Sequence, residues 1–229
     1  MSKKFKLFSK LKTNVIDHPK IKFNKLKRKK WTRLKNSLPQ RSSEYGTLLL
    51  SKQKLRAFYG NCSEEKFSLL YKSAKNAKGN TGVNFLKLLE RRLDSVLFRM
   101  RFANSFEEIH QFITHKHILV NDKIINSPSY SLKDSDIISV KKESFNFIQK
   151  SVFNSFNNAL NIKSGEITQN TLSDHLKNNS LLFAPDFMEV DYNTLEGVYI
   201  QSPLFDQIVY PFKVDLPKIM EYYEYKRRI

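Results

Sequence analysis

The sequence predicts an α+β fold, in which a helical first domain precedes a small module of two helices and a short twisted antiparallel sheet. Three observations predict it. Apolar residues recur at helical spacing through residues 45–89, whereas residues 118–140 contain short Ile- and Val-rich runs separated by polar turns. Residues 184–229 contain two further strand patterns and then a helix, Lys218–Arg228. The 229 residues are enough for one or two compact domains.

The helical part has recognisable helix ends and one basic loop that contains two glycines. Its first helix starts near Tyr45 and ends at Gly60, since glycine is the common residue just after a helix C-terminus. Ser63 is the N-cap candidate of the next helix, whose apolar side recurs through residues 67–74. In the basic loop Lys78–Gly82, two glycines allow backbone N–H groups to approach a phosphate. The loop lacks the P-loop pattern, so it predicts no nucleotide site.

Two helices open the module that follows. The first is predicted over Arg92–Met100, with its apolar residues on one face. Ser105 can cap the second, Phe106–His115, in whose first turn Glu107 and Glu108 are favourably placed.

Three strand patterns supply the sheet of the module. Residues 118–120 and 124–125 flank the polar pair Asn121–Asp122, which predicts a hairpin, and residues 136–140 form the last strand. The turn requires a positive φ at Asp122, a conformation that residues other than glycine seldom adopt.

The charge of the chain predicts a polyanionic partner. Its net charge is +18 and its pI about 9.8. Residues 1–142 contain 32 Lys and Arg against 11 Asp and Glu, whereas residues 143–229 contain 8 against 11. Nucleic acid is the commonest partner of such basic surfaces. We therefore expect the first two-thirds of the chain to meet nucleic acid and the last third to face protein.

Several classes of protein are disfavoured by composition. A single cysteine, Cys62, excludes a disulfide framework and a Cys-rich zinc site. The five histidines are scattered, so no metal and no cofactor are expected. No run approaches the roughly 20 apolar residues of a membrane span, and residues 1–6 lack the apolar stretch of a secretory signal. No membrane partner is expected.

Residues 1–40 form a basic arm with 14 Lys and Arg and one acid, Asp17. A solvated tail is the usual form of such a charge run. The preferred interpretation is an arm that orders against phosphates, with Trp31 stacking on a base or packing in a groove.

Residues 143–181 differ in composition, because Asn, Ser and Phe dominate and charge nearly disappears. A helix is predicted over Phe145–Leu160. A contact with a neighbouring protein and a tolerated surface excursion remain alternatives for this segment.

The module resembles the RNA-binding domain named after small-subunit ribosomal protein S4. The matching strings are RLDSVLFRM, SFEEIHQFITHKHILVND and PSYSLKDSDIISV. Upstream, LSKQKLRAFYG and KGNTGVNFLKLLERRLD are similar to the same family, as is PDFMEVDYNTLEGVY near the end. Several RNA-modifying enzymes carry such a module, but this combination in this order is typical of the ribosomal protein family.

The resemblance implies a domain organisation. Residues 182–229 would fold back to complete the helical domain of residues 41–90, with the RNA-binding module at 91–142 inserted between them. Residues 143–181 would be an insertion or connector. The zinc knuckle of some family members is absent here, since residues 1–44 contain no cysteine.

The chain departs from the family pattern at several positions. Phe106 and His110 stand where arginines are common on the second helix, and Arg101 stands where a glycine commonly ends the first. Asp122 replaces a turn glycine. A basic cluster after the proline near residue 203 is replaced by Leu204 and Phe205, which favours a protein contact or a lost RNA contact.

The resemblance also implies a function. The chain would be a structural, non-enzymatic part of the small ribosomal subunit, bound to ribosomal RNA at a helix junction of the 5′ domain. It would lie beside other small-subunit proteins and the path by which mRNA enters. A stand-alone RNA chaperone or stalled-ribosome factor, and an anchor fragment of an RNA-modifying enzyme, are the alternatives.

Two further inferences concern Asp94 and the compartment. An Arg-Leu-Asp string also surrounds the catalytic aspartate of pseudouridine synthases, but no catalytic domain follows the module. Asp94 is therefore expected to stabilise the first helix near its N-terminus. Abundant Lys, Asn, Phe, Ile and Tyr with scarce Ala, Gly and Pro indicate an AT-rich gene. This favours a mitochondrial ribosome, with a plastid or the bacterial cytoplasm as alternatives.

The residues expected to contact RNA are mostly cationic, with neighbouring polar side chains that can hydrogen-bond to phosphate, sugar or base. They are Lys27, Arg28, Lys29, Lys30, Arg33, Arg41, Lys52, Lys54, Arg56, Lys78, Asn80, Thr81, Arg91, Arg92, Arg99, Arg101, Ser105, Gln111, His115, Lys116, His117, Asn121, Lys123, Tyr130 and Lys133, with Lys141 and Lys142 in the same cationic set.

Overall fold

A computed structural model describes residues 43–160 and 184–228, together with residues 10, 11, 13 and 15. The chain divides into two compact units. The helical unit contains residues up to 85 and from 210 onward, and the sheet unit contains residues 86–209. The predicted α+β class is confirmed, with helices and one small antiparallel sheet.

Within residues 43–160 and 184–228, the helices of the helical unit are α1 (Glu44–Phe58), α2 (Glu64–Asn76), α3 (Thr81–Glu90), which continues into the sheet unit, and α7 (Leu216–Arg228). The hydroxyl of Ser43 accepts a hydrogen bond from the Gly46 N–H and so caps α1. Ser63 caps α2 in the same way, as predicted. Gly60 has a φ of 64° just after α1, which confirms its predicted role in ending that helix.

Aromatic side chains fill the core of the helical unit. Tyr71 of α2 stacks on Tyr223 of α7 with their ring centroids 4.5 Å apart, and Phe67 meets Phe85 edge-on at 5.0 Å. The hydroxyl of Tyr59 lies 2.6 Å from that of Tyr210. Helix α7 also packs against α1. The C-terminal tail therefore contributes to this unit from Tyr210 onward.

Among its described residues, the sheet unit has the α-helices α4 (Leu93–Arg99), α5 (Phe106–Thr114) and α6 (Phe145–Leu160). Every residue of α4 is buried. Ser105 caps α5 by accepting from the Glu108 N–H, as predicted. Phe106 is buried and stacks on Phe98 with ring centroids 4.4 Å apart. The arginine common at this family position has thus been replaced by a core side chain.

The sheet has five antiparallel strands in the order β2-β1-β3-β5-β4. They are β1 (Ile118–Val120), β2 (Lys123–Ile124), β3 (Asp136–Val140), β4 (Met188–Asp191) and β5 (Glu196–Tyr199). The hairpin of β1 and β2 is confirmed, and its two turn residues have positive φ, 48° at Asn121 and 61° at Asp122. Positive values at both positions define the tight hairpin turn whose twist matches the strands.

Strands β4 and β5 belong to the sheet unit and not to the helical domain predicted from the sequence. Ile137 of β3 lies opposite Val198 of β5, and Glu189 of β4 lies opposite the same valine. The prediction that all of residues 182–229 completes the helical domain is therefore wrong for these two strands. The physical reason is that β3 would otherwise present an edge of unpaired backbone groups, which β5 satisfies.

Candidate RNA-binding surface

Five basic side chains of the module lie at one end of the sheet. We call residues His115, Lys116, His117, Lys141 and Lys142 the basic end. Helix α5 ends just before it, and Lys116 adopts a φ of 63° that turns the chain into β1. The Lys116 and His117 N–H groups donate to the carbonyls of Ile113 and Phe112, each at 3.0 Å. These bonds satisfy the last carbonyls of the helix.

A backbone hydrogen bond joins the two halves of the basic end. The Lys141 N–H donates to the His117 carbonyl at 2.9 Å, because β3 runs antiparallel to β1 and ends beside its start. His115, Lys116 and Lys142 are exposed, whereas His117 and Lys141 are half-buried. The one carboxylate next to them in sequence, Glu143, accepts from the Lys141 ammonium at 2.7 Å.

The two histidine rings at the basic end are ordered by their neighbours. Their centroids lie 5.9 Å apart with an interplanar angle of 28°. Nδ1 of His117 lies 2.6 Å from the Ser144 hydroxyl, which fixes the orientation of that ring. His115 remains exposed above it. Two exposed ammonium groups beside a stacked, hydrogen-bonding ring pair suit the phosphates and sugars of an RNA backbone.

The opposite end of the sheet is less suited to phosphate. Lys123 and Lys133 are exposed there, but Asp122, Asp134 and Asp136 lie close to them along the chain. The carboxylate of Asp136 accepts from the Asn121 amide at 2.9 Å and from the Lys133 N–H at 2.7 Å. The Asn121 side-chain carbonyl in turn accepts from the Ile137 N–H at 3.0 Å. Asn121 is thus exposed but bonded to the first residues of β3.

Arg92 is buried against Asp94. Its guanidinium donates to both carboxylate oxygens, at 3.0 and 2.6 Å, and Nε2 of His110 lies 3.0 Å from Oδ2. The Ser95 N–H also donates to this carboxylate, at 2.9 Å. Burial raises the pKa of Asp94, but the hydrogen bonds from His110 and Arg92 outweigh it, so the pKa lies below its ordinary value. The structural role expected for Asp94 is confirmed.

Arg99 and Arg91 are also engaged within the sheet unit. Arg99 is buried and bonds to both carboxylate oxygens of Glu90. Arg91 is half-buried; its Nε donates to the Leu132 carbonyl, and Nη2 lies 3.5 Å from Asp134. These contacts favour a structural role for the two arginines. The sequence offered no sign of it, since an arginine on a basic module looks the same whether it pairs with RNA or with a buried acid.

Two of the three cations of α1 that were predicted to contact RNA also pair with a carboxylate of the protein. Lys52 is only 3% exposed; its ammonium bonds to Glu64 at 2.6 Å and lies 4.5 Å from the centre of the Tyr222 ring. Arg56 bonds to Glu64 at 3.0 Å and to Asn61 at 3.3 Å. Lys54 is half-buried. Glu64 therefore ties α2 to α1, and Lys52 and Arg56 are its partners.

The loop before α3 presents a cation, and its Asn80 side chain accepts from the first N–H groups of the helix. Lys78, Gly79 and Asn80 are exposed, and Thr81, the first residue of α3, is half-buried. The Asn80 side-chain carbonyl accepts from the Gly82 N–H at 2.9 Å and from the Val83 N–H at 3.4 Å. Asn80 thus caps α3, and of the two glycines predicted to bring N–H groups to a phosphate, Gly82 donates its N–H within the protein instead.

The remaining predicted residues fall into three groups. Gln111 is exposed on α5, and Tyr130 is half-buried with its carbonyl accepting from the Leu93 N–H. Arg101 has a φ of 61°, the conformation expected where a glycine commonly ends this helix. Its guanidinium lies 6.0 Å from the Phe98 ring centre. The arm residues Lys27, Arg28, Lys29, Lys30, Arg33 and Arg41 lie outside the described residues.

The described residues contain neither a metal-binding cluster nor a membrane-spanning helix. Within residues 43–160 and 184–228, no group of three or more His, Cys, Asp or Glu side chains is arranged to hold a metal ion. No helix in the same ranges is long and apolar enough to cross a membrane.

Comparison with known proteins identifies two family models in succession. The model described as the ribosomal protein S4/S9 N-terminal domain matches residues 1–90, and the S4 domain matches residues 91–138. The boundary between the two models coincides with the start of the RNA-binding module proposed from the sequence.

Relatives extend the match over most of the chain. The small ribosomal subunit protein uS4m of Reclinomonas americana is 38% identical over 179 residues, which cover 78% of this chain and 65% of that protein. The uS4 protein of Rhodospirillum centenum is 36% identical over 80% of this chain and 79% of its own. That of Acidiphilium cryptum is 30% identical over 96% of both. The resemblance seen in the sequence is thereby confirmed, and the chain belongs to the ribosomal protein S4 family.

Proposed function

We propose that this protein is a structural constituent of the small ribosomal subunit and binds small-subunit ribosomal RNA. The observation that carries the proposal is the succession of the two family models, together with relatives named small ribosomal subunit protein uS4 that align over up to 97% of the chain. An isolated RNA chaperone or an enzyme anchor requires the module alone. Neither alternative explains why residues 1–90 and the C-terminal part match as well.

The basic end of the sheet unit is the proposed first contact with RNA. Lys116 and Lys142 neutralise phosphates there, and His115 hydrogen-bonds to sugar or phosphate. Lys123 and Lys133 contribute less, because three aspartates reduce the potential at their end of the sheet. A rigid basic surface of this kind reads RNA by shape and backbone position, since A-form RNA hides its base edges from side chains.

The helical unit adds a second basic face. Lys54 and Lys78 are its proposed RNA contacts among the described residues, with the arm residues Lys27–Lys30, Arg33 and Arg41 joining them from outside those ranges. Each unit is proposed to contact a helix junction of the 5′ domain of the RNA through its own basic face. Arg92, Arg99, Lys52 and Arg56 are not included, since their charges are matched by carboxylates within the protein.

The protein is proposed to act without catalysing a reaction and to meet other partners through its last third. Residues 143–229 contain 8 Lys and Arg against 11 acids, which suits neighbouring small-subunit proteins better than RNA. A place beside the path by which mRNA enters the subunit is also proposed from the family resemblance, and no membrane partner is proposed.

A mitochondrial ribosome is the proposed location. The AT-rich pattern of residue usage supports it, as does the Asn/Ser/Phe-rich segment between residues 143 and 181. Relatives of both kinds are found, a mitochondrial uS4m and bacterial uS4 proteins. A bacterial or plastid ribosome is the alternative outcome of the fractionation experiment below.

The RNA contact is tested with two pairs of lysine variants that remove equal charge. The double variant Lys116→Gln, Lys142→Gln removes the two exposed lysines of the basic end. The double variant Lys123→Gln, Lys133→Gln is the matched control. Affinity for a 5′-domain fragment of the ribosomal RNA is measured as a function of salt. Each lost phosphate contact lowers the slope of log affinity against log salt concentration by about 0.7–0.9. We therefore expect this slope to fall by roughly 1.5 for the first pair of variants and by less for the second. Equal losses would contradict the basic end as the main contact.

The ribosomal role is tested by sedimentation. The tagged protein is followed through gradients of organelle and cytosol lysates, before and after a wash with roughly 0.5 M salt, which strips peripheral electrostatic binders. We expect it to remain with the small subunit of mitochondrial ribosomes. Release by the wash, or sedimentation with free RNA, would favour the chaperone instead.

A further inference from the structure

The sheet of the sheet unit has one face that packs on the helices and one that is open. Burial alternates along the strands: Asp136, Ile138 and Val140 of β3 are buried, whereas Ile137 between them is 50% exposed. Strand β5 alternates in the same way, with Gly197 and Tyr199 buried. Successive side chains of a strand point to opposite faces, so the residues between the buried ones share the open face.

An apolar row crosses this open face. Ile124 of β2 is 52% exposed and lies opposite Leu119 of β1, and Ile137 of β3 lies opposite Val198 of β5. Leu119 lies opposite Ser139, two residues from Ile137, so the two are diagonal neighbours on the same face. Four apolar side chains from four adjacent strands thus form one continuous strip. Contiguous exposed apolar surface of this kind marks an interaction site more often than scattered single residues do.

The row ends in a set of carboxylates, which we call the acidic end. Glu189 of β4 lies opposite Val198, and Asp191 lies opposite Glu196 of β5. All three acids are exposed. Residues 184–212 contain five acids and neither Lys nor Arg, in a chain whose net charge is +18. Like charges directly opposite on neighbouring strands destabilise a sheet, so the free protein carries an unfavourable pair that a cation would relieve.

We infer that the open face docks a Lys- or Arg-rich segment of another protein, whose aliphatic side chains cover the apolar row and whose cations meet the acidic end. RNA fits this face poorly, because its phosphates would meet the three carboxylates of the acidic end. A second copy of this chain is disfavoured by the repulsion of two molecules of charge +18. A basic partner has both complementary features. The inference rests on the proposed function in one respect, which is that the partner is a neighbour of this protein in the small subunit.

Site-specific crosslinking tests the identity of the occupant. The full chain is produced in the source organism with benzoylphenylalanine in place of Ile137 and irradiated in lysate. The joined species is then identified by mass spectrometry. The matched control carries the same group at Leu69, which is 60% exposed on α2 of the helical unit. We expect position 137, and not position 69, to join a Lys- or Arg-rich stretch of one other protein. A crosslink from position 137 to ribosomal RNA or to a second copy, or no crosslink, would overturn the inference.

A charge variant tests the second feature. Glu189→Gln, Asp191→Asn and Glu196→Gln are combined in the chain that carries the crosslinker at 137. Asn at 191 keeps the oxygen that accepts from the Asn193 N–H at 2.8 Å, so the turn is retained. We expect the crosslink yield to fall roughly tenfold, since each exposed ion pair contributes a modest amount. An unchanged yield would overturn the part assigned to the acidic end.

The proposed ribosomal role is read separately from the same samples. Sedimentation of the wild-type chain with the small subunit reports on that role, whereas the species joined at position 137 reports on the open face. Sedimentation with the subunit and a crosslink to RNA would leave the ribosomal role intact and reject the docked basic protein. A basic protein joined at position 137 without sedimentation would do the reverse.

Discussion

Arg99 and Glu90 form a buried bidentate ion pair. Nη2 of Arg99 lies 2.7 Å from Oε1 and Nε lies 3.1 Å from Oε2, with the two side chains 8% and 0% exposed. The third donor, Nη1, bonds to the Val209 carbonyl at 2.7 Å. One arginine thus joins α4 to the end of α3 and to the last residue of the sheet unit. An apparent RNA-binding residue is in this way a structural one.

Replacing Arg99 with Met is expected to destabilise the sheet unit strongly. The change leaves the Glu90 carboxylate buried without its partner, which costs about 3–5 kcal/mol. Urea denaturation followed by circular dichroism measures the loss. The stability of Arg99→Lys should lie between those of the wild type and of Arg99→Met, since an ammonium keeps the charge but cannot make the bidentate contact. Lys141→Met, which breaks the exposed pair with Glu143, is the control and should change stability little.

The carboxylate of Asp94 is expected to make stability dependent on pH in the acid range. Its pKa in the folded protein lies below the ordinary value of 3.8, so the unfolded chain binds a proton more readily than the folded one. The stability that Asp94 contributes is therefore complete above about pH 5 and is lost as the pH falls below 3.8 towards its folded pKa. Urea denaturation of the wild type and of Asp94→Asn between pH 2 and 7 measures this contribution. The difference between the two proteins should shrink as the pH falls, and a constant difference would contradict the assignment.

The hairpin turn is expected to respond oppositely at its two positions. Asp122 adopts a φ of 61°, and no hydrogen bond from its side chain to a described residue offsets the strain, so Asp122→Gly should stabilise by up to about 1 kcal/mol. Asn121→Gly relieves a φ of 48° but removes the bonds to Asp136 and to the Ile137 N–H, so it should destabilise. Thermal denaturation of both variants checks the signs. Stabilisation by both glycines would show that the Asn121 bonds contribute little.

The facing acids Asp191 and Glu196 are expected to weaken the free protein slightly. The carboxylate of Asp191 accepts from the Asn193 N–H, which lowers its pKa and keeps it ionised beside Glu196. Glu196→Gln removes the repulsion and should raise the midpoint of urea denaturation at low salt, with a smaller gain at high salt. The same change at Glu221, exposed on α7, is the control. A gain that does not depend on salt would exclude repulsion as its cause.

Local chemistry made several parts of this fold predictable. Ser63, Ser105 and Gly60 mark helix ends for local reasons. The serine hydroxyls accept from N–H groups of the first turn, and the glycine adopts the positive φ that commonly follows a helix. The hairpin at Asn121–Asp122 follows from the same kind of reasoning. None of these features depends on residues far away in the sequence.

Partners distant in sequence were not predictable. Nothing at Arg99 indicates that Glu90 will be buried beside it, and nothing in β5 indicates that β3 will be its neighbour. Alternation along a strand identifies the face that is buried, but the choice between several possible neighbours depends on how the whole chain packs.

The sequence by itself determined the class of the fold, the ends of its helices, the family and the kind of polymer that the basic residues attract. These properties follow from local backbone needs, from periodicity and from charge. Only the tertiary structure decided which arginines remain on the surface, that β4 and β5 extend the sheet, and that the open face ends in carboxylates. Each of these depends on burial and on pairing between distant segments, since a charge is available to a partner only where folding leaves it in water.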